Sequence, residues 1–161
     1  MAQVLDEAIK LREIGRKKES NRLMTKLVED FPENPQINYQ CAWSFDILGE
    51  EEKAVPFYEK AIDLGLSGKD LEGALLGLGS TYRTLGKYQE SKRTFLKGIE
   101  LFPTNNAMRT FFAMTLYNLK DHQKSMEILL QCLLETSTDE DIQSYKKAIE
   151  FYSDKLDETW N

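Results

Sequence analysis

The sequence predicts an all-α fold, an α-α superhelix (solenoid) of four helix-turn-helix repeats plus a C-terminal capping helix. Three observations predict it. Gly15, Gly49, Gly86 and, with the glycine replaced, Lys120 recur at spacings of 34, 37 and 34 residues. Each follows an aliphatic residue: Ile14, Leu48, Leu85 and Leu119. Between these points the apolar residues keep a helical period, as in Leu75, Leu78, Tyr82 and Leu85. One helical hairpin cannot bury its own apolar face, so hairpins copied in phase are expected to stack on one another.

The phase sets the repeats at residues 1–34, 35–71, 72–105 and 106–138, followed by a capping helix over about 139–157, all within a single domain over 1–161. In the first three repeats a glycine ends the first helix, because the residue after a helix commonly takes a left-handed conformation that costs other residues about 1 kcal/mol. Lys120 is expected to bear that cost in the fourth repeat. The second helices carry Ala54, Phe57, Tyr58, Ala61 and Ile62, or Phe95, Ile99 and Phe102, and stop at Phe31-Pro32 and Phe102-Pro103. Repeat 2 is longer by three residues, which fall in the Gly- and Ser-containing stretch from Leu64 to Asp70. Asn34-Pro35 supplies a helix cap and a first-turn proline, and Ser137 with Glu140 has the spacing of a capping box. Pro56 lies within the first two turns of a predicted helix, so a late start or a mild bend near Glu52 is expected. In the last helix Ile142, Tyr145, Ile149, Tyr152 and Leu156 form one stripe, expected to face the stack, with Trp160 beyond it.

Composition narrows the function. The chain is 41% hydrophobic and 30% charged, with a net charge of -6, and its pI is near 5.0. Binding a phosphate backbone needs a concentrated Lys/Arg surface, so nucleic acid is not an expected partner. No apolar run is long enough to span a bilayer, and acidic residues follow Met1 where a secretory leader is basic and then apolar, so a cytoplasmic protein with no membrane partner is expected. Cys41 and Cys132 belong to no metal-type cluster, and their positions on the packing face imply buried, reduced thiols.

The pattern resembles the tetratricopeptide repeat family, whose motif favours Trp, Leu, Gly, Tyr, Gly, Ala, Phe, Ala and Pro at set positions. Repeat 3 follows it most closely, with Leu75, Leu78, Gly79, Tyr82, Gly86, Ser91, Phe95, Gly98 and Pro103. Repeat 2 carries Cys41, Ala42, Phe45, Gly49, Ala54, Tyr58 and Ala61; repeats 1 and 4 are looser. Small residues let paired helices approach closely while bulky ones fill what remains. Asn38 departs from the motif at a bulky position, and the sequence alone offers no reason for it. The layout is also similar to small bacterial proteins of this repeat class.

Material for catalysis is thin. His122, the only histidine, sits at a turn with no oriented partner in sight. Gly73, Gly77 and Gly79 lie in a helical pattern without the strand or Gly-Lys-Ser/Thr ending of a phosphate loop, so close helix packing is their expected role. No catalytic residue, cofactor or metal ligand is assigned. The resemblance implies instead that first helices line a groove, here offering Leu5, Ile9 and Arg12, then Tyr39, Trp43 and Asp46, then Leu76, Ser80 and Arg83, then Thr110, Met114 and Tyr117. Tyr39, Trp43, Leu76, Met114 and Tyr117 would make its apolar floor, and Arg12, Asp46 and Arg83 its charged anchors. The Lys/Asn/Arg clamp by which some family members hold a C-terminal carboxylate is absent, its positions being Leu5, Ile9, Gln40, Gly73 and Gly77.

The leading expectation is a non-catalytic adaptor that holds a peptide or helix of another protein in this groove, since aromatic residues and arginine dominate interface energetics. A second is self-association, as a homodimer, through the C-terminal helix or the solenoid ends. A small-ligand sensor or enzyme ranks third for want of a nucleophile and base.

Overall fold

The computed structural model describes residues 1–161. It contains ten helices and no strand: α1 (Ala2–Glu13), α2 (Lys17–Asp30), α3 (Pro35–Asp46), α4 (Glu51–Asp63), α5 (Gly68–Thr84), α6 (Tyr88–Leu101), α7 (Asn106–Asn118), α8 (His122–Thr136), α9 (Glu140–Ser144) and α10 (Lys146–Tyr152). They gather into two compact units, Met1–Lys87 and Tyr88–Asn161.

One turn design is repeated. Gly15, Gly49 and Gly86 have φ of 84°, 72° and 74°, and Lys120 takes the same conformation at 67°. After each, an amide reaches back five residues: Arg16 to Leu11, Glu50 to Phe45, Lys87 to Tyr82 and Asp121 to Leu116, at 2.8, 3.1, 2.8 and 2.9 Å. This is the Schellman closure, which satisfies helix-end carbonyls only when the intervening residue is left-handed. Lys120 therefore carries the strain the spacing implies. The turn after α4 repeats this closure, with Gly65 at φ 87° and the Leu66 amide on the Ala61 carbonyl at 3.1 Å, but the other two turns between repeats use a different device. Asn34 and Asn105 accept the amides of Ile37 and Met108 and so cap α3 and α7, each following a Phe-Pro pair that ends the helix before. Asn38, unexplained by the motif, is fully buried and donates from Nδ2 to the Pro32 and Asn34 carbonyls. It ties the inter-repeat turn to α3.

Small side chains set the spacing within hairpins. Ser20 Oγ donates to the Ala8 carbonyl and Ser125 Oγ to the Ala113 carbonyl, both at 2.7 Å and both twelve residues apart. In unit 1 the apolar core is formed by Leu5, Ala8, Met24, Leu27, Ile37 and Cys41, and by a second cluster around Ala42, Ala54, Tyr58, Ala61, Ala74 and Leu78. In unit 2, Phe95 and Met108 are fully buried, and Phe95 packs on Phe112 with ring centroids 6.4 Å apart. Both cysteines are buried free thiols, and burial pushes the Cys41 thiol up to about 12.

Three expectations need correction. Of the two outcomes expected at Pro56, a late start or a mild bend, the late start is overturned: α4 begins at Glu51 and runs through the proline. Pro56 is exposed, so the Glu52 carbonyl it leaves without a helical donor lies at the solvent side, where water replaces the bond. The Ser137–Glu140 capping box does not form, because Asp139 accepts the Ile142 amide while Ser137 ends α8. The capping helix over 139–157 is two helices, broken at Tyr145 and finished at Tyr152. At each break a serine hydroxyl takes a helix carbonyl, Ser144 that of Asp141 and Ser153 that of Glu150, both at 2.8 Å, and the amide competing for it is left at 3.3 Å. Trp160 folds back onto Phe151 and Tyr152, with centroids 6.2 and 5.4 Å away.

Gly73 and Gly77 fit the close-packing expectation. A Cβ on Gly73 would overlap the Tyr39 hydroxyl, and one on Gly77 would come within 2.5 Å of the Tyr58 hydroxyl. These notches, one turn apart, seat two phenols from α3 and α4 against the α5 backbone. Gly73→Ala is expected to destabilise the protein by about 1–3 kcal/mol through overpacking. In a Tyr39→Phe background, where only the ring carbon remains at 3.2 Å, the same change is expected to be neutral or stabilising by up to about 1 kcal/mol, the helix gain of Ala over Gly. Urea unfolding of the four proteins checks this double-mutant cycle.

Candidate functional site

The first helices of unit 1 lie side by side: α5 packs beside α3, and Arg12 of α1 reaches α3. Its guanidinium lies over the Trp43 indole, 3.8 Å from the ring centroid. Trp43 in turn stacks on Tyr39 at 6.1 Å and 23°, and Tyr39 meets Tyr58 at 6.3 Å. The result is a ladder of one cation and three rings rising from the core to the surface. Trp43, at 38% exposure, is its outer aromatic rung. Burial lowers the Arg12 pKa, against the pull of Tyr39, Glu13 and Tyr58, and Arg12 Nη1 is buried without an acceptor. Gln40 Oε1 and Arg83 Nε are likewise buried and unpartnered in this unit.

The residues predicted to line a groove divide into three groups. Trp43 is exposed and Leu76, Ser80 and Arg83 are half-buried; in unit 2 Met114 and Tyr117 are 37% and 59% exposed, one helical turn apart on α7. Tyr117 meets His122 edge-on at 4.9 Å, and Thr110 spends its hydroxyl on the Asn106 carbonyl. Tyr39 is not floor. Only 8% of it is exposed, because Gly73 admits its hydroxyl into the core. Leu5 is likewise core, packed with Met24 and Ile37.

Asp46 is not a free charged anchor either. Its carboxylate accepts the Tyr58 hydroxyl at 3.0 Å. Burial raises the Asp46 pKa, more than the hydrogen bonds from Tyr58 and Thr81 lower it. Burial, with Asp46 alongside, pushes the Tyr58 phenol far above its ordinary value, so it stays a donor. Tyr58 is the residue sequence reasoning assigned to packing alone; the twelve-residue spacing from Asp46 gave no signal of their pairing.

The profile of the tetratrico peptide repeat family matches residues 35–156. The chain belongs to that family. Among curated relatives, the chain is 28% identical to Superkiller protein 3 of Saccharomyces cerevisiae over 108 residues, 63% of this chain and 7% of that one. It is 26% identical to the aspartyl/asparaginyl beta-hydroxylase of Mus musculus over 143 residues, 84% of this chain and 19% of that one. The chain thus spans a small part of either relative, and the activity in the mouse protein's name is that protein's. Among solved structures it is similar to MamA (residues 41 to the end) from Desulfovibrio magneticus RS-1, with a TM-score of 0.74, 13% identity, and coverage of 94% of this chain and 88% of that one. The repeat fold is therefore an all-α solenoid, and membership of this family supports a protein-interaction scaffold in general. No helix is long and apolar enough to cross a membrane.

The buried Asp46 carboxyl makes a pH prediction. The folded chain holds this proton to higher pH than the unfolded chain does, so the associated stability is present in acid and is lost as pH rises from the ordinary carboxylate value through the raised one. Asp46→Asn keeps an acceptor for Tyr58 and removes the titration. The unfolding free energy of the variant minus that of the wild type is expected to increase across this window and level off above it, as read by urea unfolding over a pH series; a difference independent of pH would contradict it.

Proposed function

We propose that this protein is a non-catalytic adaptor whose first helices hold a peptide or helix of a partner protein. In unit 1 the docking patch is Trp43 with Arg12, Leu76, Ser80 and Arg83; in unit 2 it is Met114 and Tyr117, with Thr110 beside them. The observation that carries this reading is the Arg12–Trp43 stack. A guanidinium stacked 3.8 Å over an indole is confined in position, so the pair is already placed before a partner covers it. Aromatic and arginine side chains of this kind are the ones that dominate binding energy when covered. The family's general role as an interaction scaffold agrees with it.

A photo-crosslinking residue at Ser80 or Thr110 is expected to trap a protein partner in cells, and mass spectrometry then names the peptide. Against that peptide, Trp43→Ala or Tyr117→Ala is expected to weaken binding by about 2 kcal/mol or more where the residue is a hot spot. Far-UV circular dichroism checks that the fold is unchanged, and full affinity in both variants would remove these patches from consideration.

A further inference from the structure

Arg12, Asp46 and Arg83 hold one place in three successive repeats, each three residues ahead of its turn glycine, Gly15, Gly49 or Gly86. The three turns close in the same way, so these residues share a phase on α1, α3 and α5 and form a row across the unit 1 patch. The row holds two cations to one acid, and the acid is turned away from both. Asp46 accepts the Tyr58 hydroxyl at 3.0 Å and is bonded by Thr81 as well, and no ion pair joins it to either arginine.

Arg12 and Arg83 are half-buried, and neither forms an ion pair with any residue of the chain. Glu13 beside Arg12 is exposed and acts on it only at a distance. Elsewhere in the unit exposed cations are the paired ones, Arg16 with Glu19, Lys53 with Glu50 and Lys69 with Glu72. The reverse is the ordinary arrangement, since exposed charges stand alone in water at little cost while charges withdrawn from water are paired. Burial has already taken water from the Arg12 guanidinium, and the Trp43 ring supplies a face without a counter-charge. An anion arriving here meets cations whose desolvation was met on folding, where Coulomb attraction exceeds that in water. The two arginines stem from helices on either side of α3, one guanidinium to a place. That suits single carboxylates rather than a phosphate, which draws a cluster of arginines, and a net charge of -6 disfavours a nucleic-acid backbone.

We propose, on the footing of the adaptor reading above, that the partner segment held by unit 1 is acidic, laying one Asp or Glu side chain against Arg12 and another against Arg83, with an apolar side chain against Trp43 and Leu76. The acids are side chains within the segment, since the positions that hold a chain end in this family carry no cation here. The test takes the segment trapped by the photo-crosslinker at Ser80, made as a synthetic peptide, and a second peptide in which each Asp and Glu is replaced by Asn and Gln. In isothermal titration calorimetry on the full chain, the amide peptide is expected to bind about tenfold or more weakly than the acidic one, and added salt to weaken the acidic peptide alone. Arg12→Gln with Arg83→Gln is expected to cost the acidic peptide a similar factor and to leave the amide peptide unchanged. The peptide exchange leaves the protein untouched, so a variant that had lost its fold cannot imitate it. A trapped segment without Asp or Glu, an amide peptide that binds the wild type as tightly, or a segment whose affinity is lost with phosphatase would overturn the proposal and leave the adaptor reading standing. If Ser80 traps no protein, the adaptor reading of unit 1 falls and the acidic partner with it.

Discussion

The fold depends on large side chains seated against helix backbone at glycines. On α5 the absence of a Cβ at Gly73 and Gly77 opens two notches, and the Tyr39 and Tyr58 hydroxyls fill them. Within hairpins the same closeness lets Ser20 and Ser125 reach backbone carbonyls of the preceding helix. Gly98 repeats the device in unit 2, where Met108 occupies the space of its missing Cβ. Interiors of this density tolerate little change in volume, so these contacts fix how each helix is turned about its axis. Tyr39 and Trp43, one turn apart, share a face of α3 and stack on each other; Gly73 takes the Tyr39 hydroxyl into the core while Trp43 stays at the surface.

The site inherits its rigidity from that core. Tyr58 is seated on α5 and held by Asp46, Tyr39 leans on Tyr58, Trp43 stacks on Tyr39, and Arg12 lies over Trp43. Each member is positioned by the one beneath it. A surface built this way would lose little side-chain freedom if a partner covered it, because the freedom was lost on folding. The C-terminal segment stands at the other extreme. Its helices are closed early by Ser144 and Ser153 and bury nothing, so their order rests on local caps and on whatever lies against them.

The features legible in the sequence were those in which one backbone demand selects one residue type. A left-handed helix end asks for glycine, which made the 34-residue phase visible and marked Lys120 as the strained copy. Asn34 was legible for the same reason, since few side chains cap a helix. Residues whose roles need a partner distant in sequence were not. Asn38 makes sense only beside the Pro32 and Asn34 carbonyls, and Tyr39 became core only because Gly73 lies opposite it. Asp46 read as an anchor until Tyr58 was seen to claim it. The last helix failed for a subtler reason: its apolar stripe continues through Tyr145, but periodicity cannot weigh a serine hydroxyl competing for the Asp141 carbonyl.

Amide hydrogen exchange on dilute wild-type protein is the most direct test of this hierarchy, because protection follows local burial and packing. The slowest amides are expected in α3, α4 and α5, around the seated Tyr39 and Tyr58, and the fastest among the helices in α9 and α10. Exchange in α3–α5 as rapid as in α9–α10 would contradict the claim that the tyrosines seated on the α5 glycines hold the fold and its surface in place.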